Sequence, residues 1–157
     1  MLRWLQNSPQ LLEQVYRGTY QLIKPWRRWL MPGSRLEKFF IRAERLGKGA
    51  IFDCRMCGQC ILHSTGMTCP MTCPKNLRNG PCGGVLPNGN CEILPDMPCI
   101  WVQAWERSQH MKTYGLEILV VQPPTNHALK DSSSWVNDMN RMDEMMPRGW
   151  QTLLGGE

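Results

Sequence analysis

All eight cysteines of this 157-residue chain lie between Cys54 and Cys99, six of them between Cys54 and Cys82. The ordinary means of building a core are thin around them. Gly, Pro and Met are plentiful, and long apolar runs are few. The expectation is that such a segment is organised by what its thiols hold, as in small domains short of core. Three candidates exist: disulfides, zinc and iron–sulfur. The N-terminal MLRWLQNSPQ has no apolar run of the kind a secretory leader needs. No window approaches the roughly 20 apolar residues of a membrane-spanning helix. The expected location is the cytoplasm, where thiols stay reduced and disulfides are uncommon. Zinc and iron–sulfur remain.

Spacing bears on that choice. Cys54, Cys57 and Cys60 place three thiols within seven residues, like the start of a bacterial ferredoxin motif, whose fourth ligand is often followed by proline. Cys69-Pro70 and Cys73-Pro74 both have that form, although an eight-residue insert separates Cys60 from Cys69. Gly58 leaves room for a tight turn around a cofactor. Structural zinc sites instead use two knuckles of two thiolates. Cys54/Cys57 or Cys57/Cys60 would serve as one and Cys69/Cys73 as the other, which leaves the triplet one cysteine too rich. Eight cysteines fit two four-thiolate sites with either metal. His63 is a further ligand by residue type, or a group outside the ligand shell. In NLRNGPCGG, Asn79-Gly80 and Gly83-Gly84 flank Cys82 with residues that allow positive φ. Amides in such turns can point at sulfur and stabilise negative charge.

The rest of the chain divides by charge. Residues 1–50 carry ten Lys/Arg against Glu13, Glu37 and Glu44, residues 51–130 are nearly balanced, and residues 131–157 are acidic. Residues 9–30 read as a helix, with Ser8 as cap, Pro9 at its first position, a kink at Pro25 and an end at Pro32-Gly33. Leu12, Val15, Tyr16, Thr19, Leu22, Ile23, Trp26, Trp29 and Leu30 mark one apolar face. A second helix starts at Ser34, whose spacing to Glu37 is that of a capping box. Leu36, Phe39, Phe40, Ala43 and Leu46 form its apolar side, and Gly47 and Gly49 close it. A small hairpin is expected at Val85–Ile93 around Asn88-Gly89. A short helix follows Cys99, with Trp101 and Trp105 one turn apart, and Glu117–Val121 reads as a strand. From Thr125 the chain is polar and Met-rich (Met139, Met142, Met145, Met146), so it reads as extended or as ordering against a partner. The expected architecture is a small α+β or irregular cysteine-rich domain stabilised by a metal or cluster, with amphipathic N-terminal helices and an extended tail. Its regions are 1–48 (basic, helical), 49–115 (cysteine-rich) and 116–157 (strand and acidic tail).

One family shares the longer pattern. Cys54-x2-Cys57-Gly58-x-Cys60, Cys69-Pro70-x2-Cys73-Pro74-Lys75, Asn79-Gly80-Pro81-Cys82-Gly83-Gly84, Gly89-x-Cys91-Glu92 and Cys99-x-Trp101 together resemble the methylenetetrahydrofolate reductase C-terminal-like domain over about residues 40–110. That domain occurs fused to or beside flavin-dependent reductase barrels and near corrinoid and folate methyltransferase systems. The resemblance implies that Cys54, Cys57, Cys60, Cys69, Cys73, Cys82, Cys91 and Cys99 are the ligands of two [4Fe–4S] clusters, or of one or two zinc ions. It also implies a methylenetetrahydrofolate reductase-like flavoprotein, or a corrinoid or folate methyltransferase, as partner. At 157 residues the chain is well short of the roughly 250 a flavin-binding barrel of its own would need.

The expected function is therefore electron transfer or support for such a flavoprotein in folate-linked one-carbon metabolism, with a non-catalytic role in an oxidoreductase complex. The competing function is a zinc-stapled adaptor without redox role. A hydrolase finds no support, since His63, His110 and His127 accompany no nucleophile motif. Nucleic acid is not expected, because the basic head carries no recognition motif. Contact of the N-terminal helix with a membrane surface fits its Arg, Lys and Trp content, while packing on the body is the plainer expectation.

Overall fold

The computed structural model describes residues 3–30 and 34–142. Four α-helices are present among them: α1 (Pro9–Ile23), α2 (Arg35–Phe52), α3 (Ile100–Ser108) and α4 (Ser134–Met139). Short 3-10 turns join them, and strand pairing among the described residues amounts to isolated bridges between Val85 and Cys91 and between Asn90 and Pro98. The expected α+β character is thus corrected to a mostly helical chain folded around an irregular cysteine segment.

Pro9 stands at the first position of α1 as expected, but the Ser8 hydroxyl makes no cap bond. The α-helix stops at Ile23, before Pro25, and passes into a 3-10 turn over Lys24–Arg28, since a proline disfavours α geometry in the residue before it. The expected end at Pro32-Gly33 lies outside the described residues. The Ser34 hydroxyl does accept the Glu37 N–H at 3.1 Å. Gly47 and Gly49 do not close α2, which runs through both to Phe52 and ends on Asp53 in left-handed geometry (φ 52°). Two helical glycines cost about 1 kcal/mol each against alanine, and the buried contacts of the turn they flank carry the helix past them.

Those contacts come from charged groups. Glu44, buried on α2, accepts N–H bonds from Ser134 (3.0 Å) and Trp135 (3.0 Å), and so caps α4 from ninety residues away. Lys48, one turn further on, donates to Glu44 at 3.3 Å and to the Ser134 hydroxyl at 2.7 Å, and lies 4.9 Å from the centre of the Trp135 ring. Glu13 on α1 accepts the N–H groups of Lys112 (3.1 Å), Thr113 (2.8 Å) and Tyr114 (2.9 Å), pinning α1 to the turn after α3. A buried carboxylate is tolerated only when it is bonded in this way.

Two small apolar clusters complete the interior. Leu12, Leu62, Met67, Cys69 and Met111 form one, joining α1 to the cysteine segment and the end of α3. Leu30, Trp135, Val136 and Met139 form the other, flanked by Tyr16, Tyr20 and Phe40. The expectation of an extended tail is overturned as far as Met142: Ser133 caps α4 through its hydroxyl, and Ser133, Val136 and Asn137 are fully buried. Met145 and Met146 lie outside the described residues.

Glu117–Val121 is likewise not a strand. Residues Gly115–Leu119 form a 3-10 turn. No neighbouring strand pairs with it among the described residues, and Gly115 lies so close to α3 that a Cβ there would sit 2.5 Å from the Ser108 carbonyl oxygen. The expected hairpin at 85–93 survives as a tight loop, with the Leu86 N–H on the Asn90 carbonyl at 2.9 Å and the Gly89 N–H on the Leu86 carbonyl at 2.8 Å.

Candidate functional site

The left-handed Asp53 turns the chain sharply out of α2 and delivers it to Cys54. From there to Gln59 the backbone is irregular, with positive φ at Met56 (49°) and Gly58 (75°). Gly58 is fixed by space as well as by angle: a Cβ would lie 2.0 Å from the Leu129 carbonyl oxygen and 2.8 Å from the Ser132 hydroxyl. The loop is held from the C-terminal side of the chain. The Asn137 amide donates to the Gly58 carbonyl at 2.8 Å, and the Asp131 N–H donates to the Met56 carbonyl at 2.8 Å. Gln59, fully buried, accepts the Asn126 N–H on its side chain at 2.7 Å.

This loop and the Cys69-Pro70 segment enclose a small cavity. Cys54, Cys57, Cys60 and Cys69 all line it, together with Met56 and Arg78. Its free core is about 20 Å³, room for about one water. The triplet and the first proline-linked cysteine of the sequence pattern therefore meet across the eight-residue insert. That insert folds as the turn His63–Thr65, where the buried Thr65 hydroxyl bonds the Ile61 (2.9 Å) and Thr68 (2.7 Å) carbonyls. Among the described residues no three His, Cys, Asp or Glu side chains stand at the distances of a single-ion site. What the cavity shows is four thiols on one lining, Cys69 buried and Cys54, Cys57 and Cys60 partly buried.

Electrostatics around the cavity are those of thiols largely withdrawn from water. Burial, and after it the neighbouring Cys60 and Cys57, push the Cys54 thiol up to about 11, against the pull of the Met56 N–H and Lys48. Burial and the nearby Cys54 and Cys60 push Cys69 up to about 12. Cys57 is also raised, by burial first. Metal or cluster binding must displace those protons. Groups that would favour the thiolates are in place. The Met56 N–H points at the Cys54 sulfur at 3.4 Å. Two cations stand close by. Lys48 loses some basicity to burial but gains more from Cys60, Glu44 and Cys54, so that its charge is held firmly. Arg78 is buried against the Gln59 (3.2 Å) and Pro123 (2.7 Å) carbonyls. Sequence reasoning counted both among ordinary basic residues. The signal it passed over was the position of Lys48 one turn after Glu44, a pair that becomes internal only once α4 is in place.

The remaining four cysteines are placed differently. Cys73 is buried on the wall of a wide groove of about 1050 Å³, which Cys57 and Cys69 also border. Cys82 is exposed, with the Gly84 N–H 3.3 Å and the Lys75 ammonium 3.6 Å from its sulfur. Lys75 also pairs with Glu92. Cys91 is buried in the 85–98 loop, its N–H on the Met97 carbonyl at 2.9 Å. Cys99 stands at the N-cap position of α3 without a side-chain cap bond and donates its N–H to the Gly89 carbonyl at 3.0 Å. Gly83 has positive φ (77°) and Gly84 supplies the amide aimed at sulfur, as the Gly-rich turn led one to expect.

His63 is turned elsewhere. Its Nδ1 lies 2.5 Å from the Glu117 carboxylate, the Ser64 hydroxyl bonds the same carboxylate at 3.0 Å, and its ring sits near Tyr16 and Tyr114. Trp101 is buried and donates its indole N–H to the Leu77 carbonyl at 3.1 Å, while Trp105 is half exposed.

Comparison with known proteins adds one positive finding. Neither the curated proteins nor the solved structures contain a match to this chain. The family described as "Methylene-tetrahydrofolate reductase C terminal" matches residues 34–128, a span that begins at the cap of α2, includes all eight cysteines and ends at the loop closing over Gly58. That span is more than half of the chain, and the chain therefore belongs to the methylene-tetrahydrofolate reductase C-terminal family.

Proposed function

We propose that this chain is an iron–sulfur electron-transfer or accessory subunit for a methylenetetrahydrofolate reductase-like flavoprotein in folate-linked one-carbon metabolism. The observation that carries the reading is that Cys54, Cys57, Cys60 and Cys69 line one small cavity. Family membership supports the choice of partner, a flavoprotein reductase or, in the same metabolism, a corrinoid or folate methyltransferase.

In this reading Cys54, Cys57, Cys60 and Cys69 hold one [4Fe–4S] cluster, and Cys73, Cys82, Cys91 and Cys99 are the donors left for a second. Such clusters pass electrons singly, at potentials set by burial, charge and hydrogen bonds to sulfur. The chain's own contribution is that setting. Lys48 and Arg78 offset negative charge at the first site, the Met56 amide donates to the Cys54 sulfur, and Gly58 lets the Leu129–Ser132 segment close over the loop.

The test is iron, acid-labile sulfide and zinc content, with a visible spectrum before and after dithionite, on anaerobically purified protein. About eight iron and eight sulfide per chain, bleached reversibly by reductant, is the expected result for two cubanes. Cys69→Ser should lower both by about half. A colourless protein carrying zinc without sulfide overturns the redox reading and leaves the zinc-stapled adaptor.

A further inference from the structure

Helix α2 buries charge and exposes an apolar stripe, although Phe40, Ile51 and Phe52 pack inward against the two core clusters. Its buried residues are Glu37, Glu44 and Lys48. Its apolar residues Leu36, Phe39, Ala43, Leu46 and Ala50 recur at alternating steps of three and four, which sets them on one stripe, and all five are exposed, Phe39 at 67% and Leu46 at 76%. Helix α1 adds a second ridge, Leu11, Val15 and Leu22, beside its buried face. Between the helices runs an apolar groove of about 280 Å³ that Val15 and Ala43 border from opposite sides. Trp26 and Trp29, in the turn after α1, are 60% and 70% exposed, and Trp4 is exposed as well.

The charge that α1 and α2 themselves expose is one-signed. All three acids of the first fifty residues, Glu13, Glu37 and Glu44, are buried. Arg17, Lys24, Arg35, Lys38, Arg42 and Arg45 are exposed. Arg17 bonds Thr113 and Arg45 bonds Asp131 at the surface. The outward side of the two helices thus combines apolar ridges, the exposed Trp26 and Trp29 of the turn after α1 and a basic border, with the acids of α1 and α2 buried and Asp131 paired with Arg45.

We propose that this face docks on an anionic phospholipid surface, with α1 and α2 lying in the interface plane. Each component has its counterpart there. Leu, Val and Phe enter the acyl boundary, indoles favour the headgroup level, and Arg and Lys meet the phosphates. Spanning is excluded for the described residues, since no helix is long and apolar enough to cross. A second copy of the chain is a poor occupant. Pairing through the α2 stripe would set Arg35 and Arg42 beside the seam, where neither copy exposes an acid of α1 or α2 to answer them. Nucleic acid would use the arginines but has no place for Leu36, Phe39 and Leu46.

The experiment is flotation of the full chain, with its native cofactor content, on vesicles of phosphatidylcholine alone and of phosphatidylcholine mixed equally with phosphatidylglycerol. Binding to the anionic vesicles only, weakened by salt, is expected. A variant R35Q/K38Q/R42Q/R45Q should lose at least about tenfold in partitioning, and L36S/F39S/L46S a similar amount. Both alter exposed side chains only, so helix content and metal content should match the parent. Failure of the parent to bind anionic vesicles overturns the proposal. So does a loss confined to the basic variant together with binding to duplex DNA, or a dimer that L36S/F39S/L46S dissociates. Metal analysis is read separately, so failure here leaves the cysteine site untouched.

Discussion

Replacing Glu13 by alanine removes the one acceptor shared by three backbone N–H groups, and the structure sets the size of the loss. Thr113 and Tyr114 donate to one carboxylate oxygen at 2.8 and 2.9 Å and Lys112 to the other at 3.1 Å, and the carboxylate itself is 3% exposed. Bonds to a charged acceptor contribute about 1.5–3 kcal/mol each. Lys112 and Thr113 are exposed residues, so water can reach their amides once the carboxylate has gone, whereas Tyr114 is half-buried. The loss for Glu13→Ala should therefore be about 3 kcal/mol rather than the sum of three full bonds. Glu13→Gln keeps one acceptor oxygen and loses the charge, for about half that cost. Urea unfolding at equal cofactor content measures both, with Gln14→Ala, exposed on the same helix, as a control expected within about 0.5 kcal/mol of the parent. Acid adds a second reading. Burial alone would raise the Glu13 pKa, but the amides of Tyr114, Thr113 and Lys112 and the Thr113 hydroxyl outweigh it, and the pKa is lowered. Its ionised form thus stabilises the fold fully above the unfolded carboxyl value, about 4.3, and that contribution is lost as pH falls through the lower folded value. The gap between parent and Glu13→Gln should hold at neutral pH and shrink below about pH 4. A Glu13→Ala variant as stable as Gln14→Ala, or a gap that persists undiminished in acid, refutes the reasoning.

Four further outcomes are expected. Gly58→Ala should abolish folding or cofactor retention, because its Cβ would meet the Leu129 carbonyl at 2.0 Å; a variant with parental iron content and stability contradicts that packing. Trp135→Ala, which empties the contacts with Tyr16 (5.3 Å), Tyr20 (6.2 Å) and Lys48, should cost about 3–5 kcal/mol in urea unfolding. In cofactor-free protein, iodoacetamide should label the exposed Cys82 well before Cys54 and Cys69, as mass spectrometry would record. The raised values of Cys54 (about 11) and Cys69 (about 12) mean that the unfolded chain gives up those protons first, so the cofactor-free fold should weaken as pH rises beyond about 8.5.

The course of the cysteine segment was legible because a tight loop is a local object. Three thiols in seven residues, a glycine among them and a Cys-Pro beyond dictate a turn whatever surrounds it, and the structure does bring Cys54, Cys57, Cys60 and Cys69 to one cavity. The Ser34–Glu37 cap was legible for the same reason. What surrounds the loop was not. EILVV has the residue types of a strand, but a strand needs a partner, and Glu117 is engaged instead with Ser64 and His63. The polar stretch after Thr125 looked unable to order itself, and alone it has little apolar surface with which to do so. It orders because Glu44 and Lys48 reach Ser134 and Trp135 from α2.

That long-range capping also explains why one apolar stripe of α2 faces outward while Phe40, Ile51 and Phe52 pack inward. Periodicity reports that a helix has an apolar stripe but not which way the stripe will turn. On α2 the opposite side carries Glu44 and Lys48, and their bonds to the N-terminus of α4 and to each other can form only if that side faces inward. Once it does, Leu36, Phe39 and Leu46 have no course but outward. The apolar ridges on the N-terminal face and the closed wall of the cysteine site are thus two consequences of one arrangement, in which the carboxylate of Glu44 is spent on holding α4 over the cavity rather than on softening the charge of the surface.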